Sequence, residues 1–207
     1  MSDETNWKNS KTLLETNGIL PIDVIPKNII DYLNNNKSMI PKNNHLAGQI
    51  QNEYGYFNWP NFIDDFLFEK INHPILIRYS KKISINSSDR PYYLSNLWVN
   101  LQKKYEFNPI HNHSGVFSFI IFLKIPYNLE DENKVFPRSS NGSSCSRLSF
   151  LVTDYMGEIY DITLDVDKSF ENKMVIFPAK MCHLVYPFYT SDDYRITVSG
   201  NIALDVG

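Results

Sequence analysis

Two of the five histidines in this 207-residue chain, His111 and His113, stand one residue apart. Side chains at i and i+2 of an extended segment leave from the same face. Both imidazoles can therefore reach one metal ion, whose nitrogen ligands sit ~2.0–2.1 Å away. Imidazole suits Fe, Zn, Cu and Ni alike, so the pair does not select the metal. A bare His-x-His beside a turn is also an ordinary surface feature, and here Pro109 precedes it and Ser114-Gly115 follows. His183 adds weight. It comes after the apolar run Lys173 to Phe177, Pro178 and a short turn, at the start of another extended segment. Antiparallel sheets readily bring such distant segments side by side. Alone, His183 would read as a half-buried histidine bonded to a backbone carbonyl.

Arg195 opens the run Arg-Ile-Thr-Val-Ser-Gly-Asn201. By the period of two, Arg195, Thr197 and Ser199 share one face and Ile196 and Val198 the other. Such a strand fits the wall of a polar cavity, where an Arg fork grips a carboxylate through two parallel charge-assisted hydrogen bonds. The plainer reading is a surface Arg paired with Asp192 or Asp193, an arrangement that contributes little. Asn100 and Gln102, on the run Leu97 to Gln102, could face the same cavity, with Tyr105 at its edge.

These residues need strands to hold them. From Tyr92 onward, short β-branched and aromatic runs alternate with Gly, Pro, Asn and Ser, which predicts strands at 95–102, 116–125, 146–153, 158–164, 173–177, 184–188 and 195–204. Upstream, a helix is predicted over 26–33 and a second helical stretch over 61–81, interrupted by Pro74. The first ~15 residues read as a frayed polar tail, residues 37–60 as loop, and 128–144 as a mobile polar excursion with an acidic start. The plan is α+β in one domain: residues 16–91 as mainly helical support on one face, and 92–207 as an antiparallel sandwich or jelly roll.

Composition narrows the function. With 20 Lys+Arg against 23 Asp+Glu the net charge is −3, which offers no basic footprint for nucleic acid and counts against a nucleic-acid substrate. Two cysteines point to a reducing, cytoplasmic setting rather than a disulfide scaffold. The N-terminus lacks the pattern of a secretion signal, and no apolar run has the ~20 residues of a membrane span.

The ordered set His111-Asn-His113, His183, Arg195 resembles the 2-oxoglutarate- and Fe(II)-dependent oxygenases, and is most similar to small members known from bacteria and their phages. The resemblance runs from Leu97 through Val116, resumes at Val175 to His183, and ends at Arg195 to Asn201. It implies a double-stranded β-helix of the jelly-roll or cupin-like kind, and a cytoplasmic oxidoreductase, in the host cytoplasm if phage-encoded. Fe(II) would be held by His111, His113 and His183. The cosubstrate 2-oxoglutarate would be held by Arg195, assisted by Thr197, Ser199 and Asn100, with Lys124 as a competing anchor. The implied reaction consumes O2 and 2-oxoglutarate, yields succinate and CO2, and hydroxylates a prime substrate, a protein side chain or small molecule. Partners orienting the histidines would come from Asn100, Asn108 and Tyr186. The oligomeric state stays open between monomer and homodimer.

One departure from the family pattern matters. The carboxylate ligand expected two residues after the first His is His113, and no Asp or Glu occurs between His111 and Glu130. The favoured outcome is a three-histidine site, which leaves more net positive charge on the metal. A frame starting at His113 would put Gly115 at the carboxylate place, and a degenerate site is the third option. Two other classes remain: a cupin-type metalloprotein without 2-oxoglutarate, and a non-catalytic β-rich binding or structural protein.

Overall fold

The computed structural model describes residues 5–35, 40–41, 46–82, 92–136 and 143–205. Its elements in chain order are α1 (Thr5–Thr16), β1 (Leu20–Ile22), α2 (Lys27–Asn35), β2 (Ile40–Pro41), β3 (Glu53–Gly55), α3 (Asn61–Ile71), α4 (Pro74–Lys82), β4 (Tyr92–Gln102), β5 (Asn108–His111), β6 (Phe117–Lys124), α5 (Leu129–Lys134), β7 (Leu148–Thr153), β8 (Ile159–Leu164), β9 (Lys173–Pro178), β10 (His183–Val185) and β11 (Arg195–Leu204). The strands form two antiparallel sheets, a large one in the order β1-β9-β6-β11-β4-β3-β2 and a small one in the order β5-β10-β7-β8.

Strand β6 shows why the layers stack as they do. Its run Phe-Ser-Phe-Ile-Ile-Phe-Leu is apolar on both faces, the signature of a strand covered on two sides. Phe117, Phe119 and Ile121 join Val99, Met174, Ile176 and Val198 under the apolar faces of α2, α3 and α4. Ile120 and Phe122 point the other way, into a core between the sheets shared with Leu148, Phe150, Ile162, Val175 and Phe177. Each fully buried Phe stabilises the fold by about 2–3 kcal/mol.

The structure corrects several sequence expectations. The N-terminal tail is helical from Thr5, because Trp7 and Leu14 lie on one side and are buried. Trp7 stacks edge-on against Phe170 at 5.1 Å. The helix closes where Ile19 N–H donates to the Leu14 carbonyl. Pro74 does split the second helical stretch, into α3 and α4. Residues 37–60, expected as loop, contain β3, which pairs with β4. The expected excursion 128–144 starts as α5: Asn128 caps it by accepting from Glu130 N–H, and acidic residues occupy its first turn. The buried Glu132 carboxylate accepts from Tyr189 N–H, Thr190 N–H and the Thr190 hydroxyl, which ties α5 to the segment leading into β11. Residues 137–142 and His45 lie outside the described residues. Among the described residues no helix is long and apolar enough to cross a membrane.

Candidate active site

The three histidines come together at one end of the space between the sheets. His111 ends β5 and His183 begins β10, and the two are direct partners across that antiparallel pair. Their rings lie 4.2 Å apart, centroid to centroid. His113 follows in the irregular segment after β5, where its N–H donates to the Ala179 carbonyl, and its ring is 5.0 Å from each of the others. One ring nitrogen from each residue falls within 4.8 Å of the other two. Gly115, just past this segment, has φ +90°, and a Cβ there would sit 2.6 Å from the Ile202 carbonyl oxygen. Only glycine lets the chain turn this tightly against β11.

Hydrogen bonds fix which nitrogens face the centre. His111 Nδ1 is 2.7 Å from the Pro109 carbonyl oxygen, and His183 Nδ1 is 3.2 Å from that of Met181. A carbonyl only accepts, so both Nδ1 atoms carry hydrogen and both Nε2 lone pairs are free. The side chains of Asn100, Asn108 and Tyr186, expected as the orienting partners, do not perform this role: two backbone carbonyls do. His113 Nε2 lies 3.3 Å from His183 Nε2. Two ligands at ~2.1 Å from one ion and near a right angle are separated by about 3 Å, so this pair has the spacing of neighbours on a metal. Phe177 and Phe150 pack on His183, and Trp98 on His113. Burial holds the His111 imidazole below its ordinary range, burial and the neighbouring His111 push His113 down to about 4, and burial with both neighbours holds His183 well below the usual value. All three are neutral at pH 7, as metal ligands must be. The donor set fits a borderline divalent ion such as Fe(II).

A cavity of about 320 Å³ opens from the histidines across the inner face of the large sheet. Its floor is built from cross-strand rows: Gln102 with Arg195; Glu53, Asn100 and Thr197; Trp98 with Ser199; Asn96 with Asn201. Arg195 is 3% exposed, and among the described residues no carboxylate lies within ion-pair distance of it. Its Nε and Nη2 both donate to Gln102 Oε1, at 3.0 and 2.7 Å, its Nη1 to Tyr127 OH and the Ser146 carbonyl, and Nη2 also to the Tyr186 carbonyl. Four neutral acceptors, through five hydrogen bonds, hold a buried cation without neutralising it. A dicarboxylate entering the cavity would supply the missing charge, so the donor chemistry fits 2-oxoglutarate.

Asn100 donates to the Thr197 hydroxyl, and Ser199 lines the same wall. Lys124 is elsewhere: it is half-exposed and paired with Asp193, and does not line the cavity. Asp192 pairs with Lys104, so neither aspartate is the partner of Arg195. Sequence reasoning missed Glu53, which is buried on β3 and faces the cavity. The run Glu53-Tyr-Gly-Tyr56, short and aromatic between polar stretches, was the available signal for that strand.

Comparison with known proteins agrees with this geometry. The family model described as "Putative 2OG-Fe(II) oxygenase" matches residues 96–201, just over half of the chain. No curated protein sequence matches it significantly. Among solved structures, a 2OG-Fe(II) oxygenase family oxidoreductase from Burkholderia pseudomallei aligns over 98% of this chain and 92% of its own, with TM-score 0.51 and 10% identity. A prolyl-4-hydroxylase from Pseudomonas putida aligns over 95% and 98%, with TM-score 0.52 and 13% identity. The viral collagen prolyl hydroxylase of Paramecium bursaria Chlorella virus-1, solved with 2OG, aligns over 92% and 98%, with TM-score 0.52 and 13% identity. At such identities these likenesses establish the fold, a double-stranded β-helix. The histidine cluster, the buried cation in the adjoining cavity and the family match converge: this chain belongs to the 2OG-Fe(II) oxygenases, oxidoreductases that depend on Fe(II) and 2-oxoglutarate.

Proposed function

We propose that His111, His113 and His183 hold the iron and that Arg195 anchors the distal carboxylate of 2-oxoglutarate, in an enzyme that hydroxylates a protein side chain or small molecule. The observation that carries this reading is the convergence of three neutral imidazoles on one point beside a buried guanidinium that pairs with no carboxylate among the described residues. Bound iron and 2-oxoglutarate, with O2, supply the oxidising chemistry, giving succinate, CO2 and one oxygen atom for the substrate.

The chain's own residues bind, orient and shield. The carbonyls of Pro109 and Met181 hold the ligand rings with Nε2 inward. Three neutral ligands leave the full charge of a divalent ion to be balanced by the cosubstrate, which favours a dianion. The Gln102 oxygen occupies the Nε/Nη2 edge of Arg195, the edge that takes a carboxylate in a fork. A carboxylate there replaces a neutral acceptor by a charged one, with hydrogen bonds roughly twice as strong. Thr197 and Ser199 supply hydroxyls along the same wall. Phe150, Phe177, Ile120 and Phe122 close the inner side against water. No protein base is required. Free thiols at Cys145 and Cys182 support a cytoplasmic setting, and the net charge of −3 supports a substrate other than nucleic acid.

Purified protein given Fe(II), ascorbate and 2-oxoglutarate tests the reading. Stoichiometric metal, 2-oxoglutarate binding and succinate formation without added substrate are expected. Metal binding without 2-oxoglutarate binding would leave a cupin-type metalloprotein instead.

A further inference from the structure

At the β3 side of the cavity the polarity is reversed. Glu53 is 1% exposed, and its Oε2 has no hydrogen-bond partner. Asn100 Oδ1 and Asn108 Oδ1, on the same cavity wall, are also buried without partners. Among the described residues no Lys or Arg lies within ion-pair distance of Glu53. Gly48 is pressed between two of these groups: a Cβ there would stand 2.4 Å from Asn108 Oδ1 and 2.7 Å from Glu53 Oε1. The backbone is thus pared to the minimum where the acceptors meet. A buried acceptor left unpaired keeps the full cost of its lost hydration, and an amide oxygen or carboxylate cannot satisfy another acceptor. The group that completes them must bring N–H or O–H donors, and beside the Glu53 carboxylate a positively charged donor is favoured.

Glu53 stands outside the cluster of histidine ligands, so it is not the missing carboxylate of the metal site. It also repels the carboxylates of 2-oxoglutarate, which the cation Arg195 attracts. Glu53 and Arg195 lie two strands apart and one row apart, roughly 12 Å between backbones from ordinary sheet spacings. The cavity therefore has an anion end and a cation end, with the histidines alongside. Burial and the nearby Glu106 raise the Glu53 carboxyl to about 7, a strain that a bound cation relieves.

We infer that Glu53, with Asn100 and Asn108, is the specificity site for a prime substrate carrying a cationic nitrogen, a guanidinium or primary ammonium presented by a free amino acid or by a peptide side chain. The inference deepens the oxygenase reading and relies on it for the reacting centre. A cavity of about 320 Å³ that also takes 2-oxoglutarate has room for one side-chain-sized group.

Calorimetry on the Fe(II)- and 2-oxoglutarate-loaded protein, kept free of O2, tests it. The probes are L-arginine against its neutral near-isostere L-citrulline, L-lysine against Nε-acetyl-lysine, and the tripeptides Gly-Arg-Gly and Gly-citrulline-Gly. At least one cation is expected to bind tenfold or more tightly than its neutral partner, the worth of one buried charge-assisted hydrogen bond. Glu53→Gln is expected to abolish that preference, and Asn108→Leu to weaken cation binding about threefold. The free and peptide arms identify the source of the cation. Equal binding of cations and neutral partners, or a preference that survives in a folded Glu53→Gln protein, overturns the inference. The wild-type comparison decides alone if that variant does not fold. Succinate formation, measured separately in air, judges the oxygenase reading: succinate without cation preference sinks only the inference, and cation preference lost with Glu53→Gln upholds it whether or not succinate appears.

Discussion

Replacing Glu53 by glutamine should stabilise the ligand-free protein at alkaline pH and leave it nearly unchanged at acid pH. The carboxyl ionises near 4.5 in the unfolded chain and at about 7 in the folded one, chiefly because burial disfavours its charge and secondly because Glu106 is close. Between these values the folded state keeps a proton that the unfolded state has released. Stability therefore falls as pH rises through this window, and the loss is complete above pH 7. The gap of about 2.5 pH units, at about 1.36 kcal/mol each, makes about 3 kcal/mol. The group is closed to bulk water but faces a cavity, which softens the penalty, so about 1.5–3 kcal/mol is expected. Glutamine has nearly the same shape and no charge to bury. Urea unfolding of both proteins at pH 4.5 and pH 8.5, with chelator present, reads the effect as the change in their stability difference between the two pH values. Because each protein carries the same remaining groups, that difference isolates residue 53. Parallel pH profiles, with a change below about 0.5 kcal/mol, would refute the reasoning and show that the carboxylate is fully solvated.

Other changes separate the roles of the site. His183→Ala should lower metal affinity at least ~100-fold by removing one of three ligands, seen as loss of stoichiometric uptake in calorimetry; retained stoichiometry removes His183 from the site. Arg195→Lys should weaken 2-oxoglutarate binding about tenfold or more while metal uptake persists, because an ammonium cannot reproduce the fork; it should also lower the melting temperature, since four buried acceptors lose their geometry. Gly115→Ala should cost about 2–4 kcal/mol in denaturant unfolding, from the positive φ and the contact with the Ile202 carbonyl.

The strands of the second half were legible because each is a short run of β-branched and aromatic residues between turn formers. Arg195–Leu204 matches its expected span residue for residue. The site was legible in outline for a related reason: cross-strand pairing of His111 with His183 needs only that two extended segments meet. What pattern reading missed has physical causes. Helix α1 buries only two large apolar residues, Trp7 and Leu14, on a polar background, and its partners, Phe170 and Ser169, come from more than 150 positions away. Strand β3 is three residues long and takes its identity from pairing with β4, not from its own propensity, so Glu53 stayed hidden with it. The orientation of the ligand rings depends on backbone carbonyls, which sequence does not reveal. Lys124 does share a strand face with Phe122, but at the strand's end its long side chain reaches Asp193 on the surface.

Strand β5 is the margin of the small sheet and has β10 as its neighbour. An ion gripped by His111 on β5 and His183 on β10 is therefore also a rivet through the seam between them. Loading the metal and fastening the border of the reaction chamber become one event. A protein emptied of that ion would lose, together with the metal, the stiffness of this border of the cavity.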